Sequence, residues 1–309
     1  MMKISTSQYY KTLNEHMNNQ QAKIAELQSQ LSTGKKNVTP STDVKATTSS
    51  LKISTVISAQ EDYINTLKNI NAGYAEEEIA MSSMTNMIRR MQDIAIAGAN
   101  QTYSQGELNL FANEVQGYLD DVRGLANTKD SNGHYIFSGT KTTTKPFVKQ
   151  ADGSTVYQGN QSEIKLSLEG GYKLPISISG HKLAGSIERR DALGAVTTNV
   201  DMFKVMEDFA AALKSNTLTD IQRGSEELFL VAKNLGANMV ENGIRQKLVS
   251  EREIIAEDKI LIYKSLLSNA QDVDYASAIT QLSSDMLALE AAQSTFSKVS
   301  QLSLFNYIN

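Results

Sequence analysis

The side chains that could do chemistry in this sequence are few and scattered. His16, His134 and His181 are the only three histidines among 309 residues, and cysteine is absent. Without cysteine there are no disulfides, thiol nucleophiles, zinc thiolate sites or iron–sulfur clusters. A histidine metal site needs imidazoles that converge with carboxylates. Here the three fall in a terminal helix, at a turn–strand junction and in a loop after a strand, so they read as solvated or packing residues. Glu76-Glu77-Glu78 and Asp120-Asp121 are the carboxylate clusters. On amphipathic helices such runs form solvated faces, and neither is assigned a calcium or acid–base role. Arg89-Arg90 and Arg189-Arg190 are too short for a nucleic-acid patch. Asn160-Gln161-Ser162 fits a glycosylation acceptor, a tripeptide frequent by chance. H-E-x-x-H, G-x-S-x-G and G-x-x-x-x-G-K do not occur. No residue set nominates a reaction, so the expectation is a non-enzyme with no catalytic residues, no cofactor and no metal.

Composition narrows the class further. The formal net charge is −4, which offers a phosphate backbone no basic excess, so nucleic acid is not expected as a partner. No stretch approaches the roughly 20 apolar residues of a membrane span, and no membrane insertion is expected. The N-terminal stretch MMKISTSQYYKTLNEHMNN is polar and lacks the apolar region of a secretory signal. The expectation is a cytosolic protein, or one that leaves by a route reading no cleavable signal. Three prolines and no tryptophan suit long uninterrupted helices.

Hydrophobic spacing supplies those helices. From about Gln8 to Ser32, Tyr10, Leu13, Met17, Gln20, Ile24, Leu27 and Leu31 alternate steps of three and four. That is a heptad seam with one polar member. Gly34 supplies a stop, and a linker with Pro40 follows. From about Asp43 to Ala99, Ile53, Ile57, Gln60, Ile64 and Leu67 hold one frame. It slips near Glu76–Glu78 and resumes at Met81, Met84, Ile88, Met91 and Ala95, a change of winding within one helix. The methionine stripe reads as core filler. Ser104-Gln105-Gly106-Glu107 is a capping box for a helix through Leu108, Phe111, Val115, Tyr118, Val122 and Leu125.

After Asp130-Ser131-Asn132-Gly133 the period changes to two. Phe147-Val148 and Val156-Tyr157 flank Asp152-Gly153, a strong hairpin signal. Ile164, Leu166 and Leu168 alternate, then Leu174, Ile176 and Ile178 after a Gly-Gly turn. Helix returns near Asn199 with Phe203, Met206, Ala210 and Leu213. Thr219-Asp220-Ile221-Gln222 reads as a capping box for a long helix to about Leu267. A last helix carries Tyr275, Ile279, Leu282, Met286, Leu289, Gln293 and Phe296. The fold class is mainly α with a small β-rich insert: a nested long-helix bundle whose N- and C-terminal helices pair as a coiled coil. The expected domains are 1–34 plus 272–309, 42–133 plus 199–268, and the insert 134–198.

The ends are poor in charge. Residues 1–33 carry only Lys3, Lys11, Glu15, Lys23 and Glu26, and residues 275–309 only Asp285, Glu290 and Lys298. A free coiled coil flanks its seam with Glu and Lys; here Ser, Asn, Gln, Thr and Ala stand there. Neutral polar residues cost less to desolvate than charges, so the outer face is expected to be buried against other copies of the chain. The terminal helices are expected to be partly disordered in the monomer and to fold on assembly. Assembly is assigned to Leu13, Met17, Ile24, Leu27, Leu31, Ile279, Leu282, Met286, Leu289, Phe296, Leu302 and Phe305.

Several segments carry a family resemblance. They are Ile4-Ser5-Thr6-Ser7-Gln8, Leu31-Ser32-Thr33-Gly34-Lys35-Lys36 with Thr39-Pro40-Ser41 and Asp43, and Asn132-Gly133-His134-Tyr135-Ile136-Phe137-Ser138-Gly139-Thr140 with Pro146-Phe147. Asp272 to Leu282, Leu287 to Gln293 and Leu302-Ser303-Leu304-Phe305-Asn306-Tyr307 complete the set. Together they resemble the flagellar hook-associated protein 3 family, the hook–filament junction proteins of the flagellin superfamily. Ser41-Thr42-Asp43, where an acidic pair often follows the serine, and the added Asn309 are small departures. The resemblance implies a secreted structural protein of the bacterial flagellum, exported through the flagellar type III channel to an extracellular site. It implies a ring of copies of the chain between hook-associated protein 1 and flagellin, with an export chaperone as a cytoplasmic partner. It also implies terminal helices in an inner tube, middle helices in an outer tube, and the insert facing outward. A flagellin-type filament subunit and a soluble coiled-coil scaffold are the alternatives. The Phe-Asn-Tyr-Ile ending and modest insert argue against the first, and the uncharged seam flanks against the second.

Overall fold

The computed structural model describes residues 2–36, 43–100, 102–169, 171–190 and 195–308, with side chains described over 8–36, 43–100, 102–169, 171–190 and 195–299. Among the described residues, seven helices and six short strands follow in the order α1 (Met2–Thr33), α2 (Val44–Gly98), α3 (Gln105–Leu125), β1 (Phe147–Lys149), β2 (Thr155–Tyr157), β3 (Lys165–Ser167), β4 (Lys173–Pro175), α4 (Gly180–Ala184), β5 (Ile187–Arg190), β6 (Val196–Val200), α5 (Met202–Ser215), α6 (Leu218–Gln271) and α7 (Tyr275–Ile308). The mainly helical fold with a small β-rich insert is the one the periodicity predicts. Two compact units divide the chain, Met1–Tyr63 with Ala256–Asn309 and Ile64–Ile255. The long helices α2 and α6 each contribute to both.

The first unit is built from heptad seams. Ser50, Ile53, Ile57 and Gln60 of α2 turn inward, as do Ala256, Ile260, Tyr263 and Leu267 of α6. Lys264 reaches Glu61 at 3.7 Å and Lys68 reaches Glu253 at 3.4 Å, so α2 and α6 run antiparallel. Gly34 ends α1 at φ +71°, a conformation that glycine adopts without steric cost. Its carbonyl accepts from Val273 N–H at 2.9 Å, and Lys36 N–H donates to the Gln271 carbonyl at 2.7 Å. This backbone bridge ties the end of α1 to the start of α7. Asp274 caps α7 by accepting from the amides of Ala276 and Ser277.

The second unit holds the larger core. Met81, Met84, Ile88 and Met91 of α2 are buried with Leu108, Val115 and Leu119 of α3 and Phe203, Met206 and Phe209 of α5. The methionine stripe is core. α3 opens with the expected capping box: Ser104 N–H donates to Glu107 Oε2 at 2.7 Å, and Glu107 N–H returns to Ser104 Oγ. α6 begins at Leu218, one residue before the expected box at Thr219. Asn216 in the left-handed region closes α5, and the Thr217 carbonyl already accepts the first bonds of α6, so the side chain of Thr219 is not needed as a cap.

Three separate antiparallel hairpins form the insert, β1 with β2, β3 with β4 and β5 with β6. The Asp152-Gly153 turn sets Phe147 opposite Tyr157, and Leu166 stands opposite Leu174. The third hairpin takes residues 196–200, where helix was expected from Asn199. Arg189 anchors it: Nε and Nη2 grip both Glu227 oxygens at 2.7 and 2.8 Å, and Nη1 reaches Asp208 at 2.7 Å. The bidentate bonds to Glu227 raise its already high pKa further. Arg189 is thus a clamp between β5, α5 and α6. Asn160 is likewise engaged, its amide bonded to the Thr140 backbone and hydroxyl.

Glu77 departs from the expected solvated face. It is 2% exposed, accepting from Ile178 N–H at 3.0 Å and from Asn242 Nδ2 at 3.4 Å. Burial pushes its carboxyl up to about 8; the Ile178 bond and Arg245 oppose that, and Glu163 adds to it. The folded state therefore keeps a proton that the unfolded chain releases near 4.5. Glu77 costs no stability below that pH, and the cost grows as pH rises toward 8. A Glu77→Gln variant should gain on the native chain by up to about 1.4 kcal/mol for each pH unit in that window. Urea midpoints at pH 5, 6.5 and 8 check this; a constant difference would refute it.

Candidate assembly interface

α1 and α7 form the arm in which the sequence places function. On α1 the inward residues include Tyr10, Leu13, Met17, Gln20, Ile24, Leu27 and Leu31, with Ser29 and Gln30 half-buried near its end. That is the seam the spacing predicts. The Tyr10 ring stands edge-on to Phe296 at 5.6 Å between centroids, and its hydroxyl donates to the Val299 carbonyl at 3.2 Å. Gln20 Nε2 donates to Asp285 Oδ1 at 2.9 Å. Together with the bridge at Gly34 these contacts define an antiparallel pair.

On α7 the seam differs from the expected one. Ala278, Leu282, Asp285, Leu289, Ala292, Phe296 and Val299 are buried or half-buried. Ile279 and Met286 are both 52% exposed, and Tyr275 and Gln293 also lie outward. Leu282, Leu289 and Phe296 therefore face α1 as expected, whereas Ile279 and Met286 do not. The physical reason is that α7 carries two overlapping apolar stripes. The one containing two alanines and a paired carboxylate wins the contact with α1. Asp285 is satisfied there by Gln20 and by Gln281 Nε2 at 3.2 Å. The side chains of Leu302 and Phe305 lie outside the described ones.

The outer faces are also quieter than composition suggests. Thr12 donates to the Gln8 carbonyl at 3.0 Å, Thr280 to Ala276 at 2.8 Å, Ser283 to Ile279 at 2.9 Å and Thr295 to Ala291 at 2.8 Å. These hydroxyls spend their hydrogen atoms inside their own helix. Covering such a surface strands fewer donors, which lowers its desolvation cost. Sequence reasoning missed Ala278, Asp285 and Ala292. Their signal was present, in the i,i+4 pair Gln281–Asp285 and in alanines two heptads apart.

His16, His134 and His181 are exposed. His134 Nδ1 lies 3.8 Å from Asp130. Among the described residues no group of three His, Asp or Glu side chains could hold a metal ion, and no helix is long and apolar enough to cross a membrane.

A nested helical chain whose first and last helices pair, and which keeps Ile279 and Met286 outward on the last, presents an apolar stripe of the kind that marks a contact surface. Comparison with known proteins shows what the chain resembles. Residues 4–142 match the family model for the bacterial flagellin N-terminal helical region. Over 98% of its length the chain is 27% identical to Flagellar hook-associated protein 3 of Salmonella typhimurium, covering 99% of that protein. The fold is shared with a protein described as a flagellar hook-associated protein from Vibrio parahaemolyticus, at TM-score 0.67 and 19% identity, over 75% of this chain and 100% of that one. It is also shared with flagellar hook-associated protein 3 from Legionella pneumophila, at TM-score 0.63 and 16% identity, over 70% and 97%. The similarity to Flagellar hook-associated protein 3 extends over 98% of the chain.

Proposed function

We propose that this chain is a structural protein of the bacterial flagellum that forms the junction between hook and filament. The observation that carries this reading is the paired terminal arm, which keeps Ile279 and Met286 outward on a face whose Thr280 and Ser283 hydroxyls are satisfied within their own helix. Full-length similarity to Flagellar hook-associated protein 3 supports it. In this reading copies of the chain form a ring between hook-associated protein 1 and the first flagellin subunits. Leu13, Met17, Ile24, Leu27, Leu31, Leu282, Leu289 and Phe296 hold the arm together. Ile279 and Met286, with Leu302 and Phe305, are the contacts offered to other subunits. The terminal helices form an inner tube, the middle helices an outer tube, and the insert 134–198 faces outward. The chain travels through the flagellar type III channel to its extracellular site, with an export chaperone on the C-terminal helix beforehand.

Deleting the gene tests the role. Electron microscopy should show hooks without filaments, with flagellin released as monomer into the medium. Intact filaments would reject the junction role. Filament loss with no flagellin in the medium would assign the chain to the filament itself.

A further inference from the structure

α7 could meet α1 in two ways. Leu282, Leu289 and Phe296 belong to both of its apolar stripes. Turning α7 by about half a residue step would exchange Ala278, Asp285 and Ala292 for Ile279, Met286 and Gln293. By apolar area alone the second stripe is the better one, since it replaces an alanine with isoleucine and a carboxylate with methionine. The structure nonetheless buries the first. Ala278 is 6% exposed and Asp285 is 8% exposed. A carboxylate enters a helix seam only when its oxygens find donors. Gln20, the one polar member of the α1 seam, stands opposite and gives Oδ1 a bond of 2.9 Å. Its amide also lies 3.5 Å from the Asp285 carbonyl. The other donor, Gln281, rides on α7 itself and would turn with it. Gln20 is therefore the cross-helix donor that distinguishes the two arrangements.

We infer that Gln20, by pairing with Asp285, selects the face of α7 that meets α1 and so holds Ile279 and Met286 outward for a neighbouring subunit. The apolar stripe that would otherwise close the arm on itself is kept free for assembly by one polar contact. A polar seam residue that fixes helix orientation at some cost in stability is the best-attested use of such pairs. The inference deepens the proposed junction role, because the outward stripe is the surface that role uses.

The native chain has no cysteine, so single reporters can be read without background. Met286→Cys reports the outer stripe and Ala278→Cys the inner one, each labelled with a thiol reagent in the purified full-length chain. With Gln20 present, Met286→Cys should react fast and Ala278→Cys slowly. Gln20→Leu makes α1 more apolar but strands Asp285. It should slow Met286→Cys and speed Ala278→Cys, each by about tenfold. Gln20→Leu with Asp285→Leu makes the inner stripe wholly apolar and should restore the original rates. Unchanged rates in Gln20→Leu would overturn the inference. So would fast reaction of both reporters, with or without Gln20, because no face would then be selected. These measurements use free chain and need no filament, so they can fail while the deletion experiment succeeds, and the reverse.

Discussion

Leu282→Asp or Leu289→Asp will abolish incorporation into the flagellum and leave residues 64–255 folded. Both side chains sit half-buried in the seam against α1, on either side of Asp285. Gln20 is the only α1 donor that reaches a carboxylate there among the described contacts, and Asp285 already occupies it. A second carboxylate, one turn away, would be like-charged, poorly solvated and unpaired. Such a group costs about 3 kcal/mol or more. An arm of two helices has little else to offset that loss, since an isolated helix of this size is marginal in water. The readout is complementation of the deletion strain, with filaments counted by electron microscopy, beside thermal melting of the purified variant. Normal filament numbers, or loss of the main melting transition, would contradict the expectation.

The arm shows how far periodicity reaches. On α1 the seam is legible because each heptad offers one apolar choice at each level. On α7 alanine, serine and leucine surround the stripe, so spacing alone accepts two faces. The tie is broken by Gln20, which is 265 residues from Asp285 in sequence. Local chemistry fared better. The Ser104–Glu107 capping box and the Asp152-Gly153 hairpin are set by neighbours within a few residues. Glu77 looked like part of a solvated run because its partners, Ile178 and Asn242, lie 101 and 165 positions away. Arg189 looked like half of a basic pair for the same reason, its carboxylates being on α5 and α6. The β5–β6 hairpin escaped because most of β6 is exposed and carries Thr and Asn, leaving no alternation to read. Apart from that hairpin, what was illegible is the long-range pairing of a polar group, where residue type suggests solvent and tertiary contact overrides it.

Phe147→Ala is expected to give the opposite pattern to the seam variants, destabilising the core unit and sparing the arm. Phe147 is buried between the Tyr157 ring at 5.1 Å and the Phe203 ring at 4.8 Å, so it joins β1 and β2 to α5. Its backbone is held as well: Asn127 Nδ2 donates to the Phe147 carbonyl and Asn127 Oδ1 accepts from its N–H, both at 2.9 Å. Asn127 thus acts as a short strand that pairs with β1, and the truncated residue cannot swing away to let its neighbours fill the space. The cavity will stay open, and the cost falls in the range of about 3–5 kcal/mol for removing a buried phenyl ring. For a unit of this size that lowers the melting midpoint by roughly 6–20 °C. The loss is confined to residues 64–255, so thiol labelling of Ala278→Cys in the arm should stay slow below the new midpoint. A shift of only a degree or two would mean that the hairpin collapses onto α5 and that the Asn127 clasp does not hold Phe147 in place. Together the two kinds of variant separate what the arm contributes from what the core contributes. A filament defect with an unchanged midpoint assigns the lost contact to the arm; a lowered midpoint with protected Ala278→Cys assigns it to the packing of Phe147.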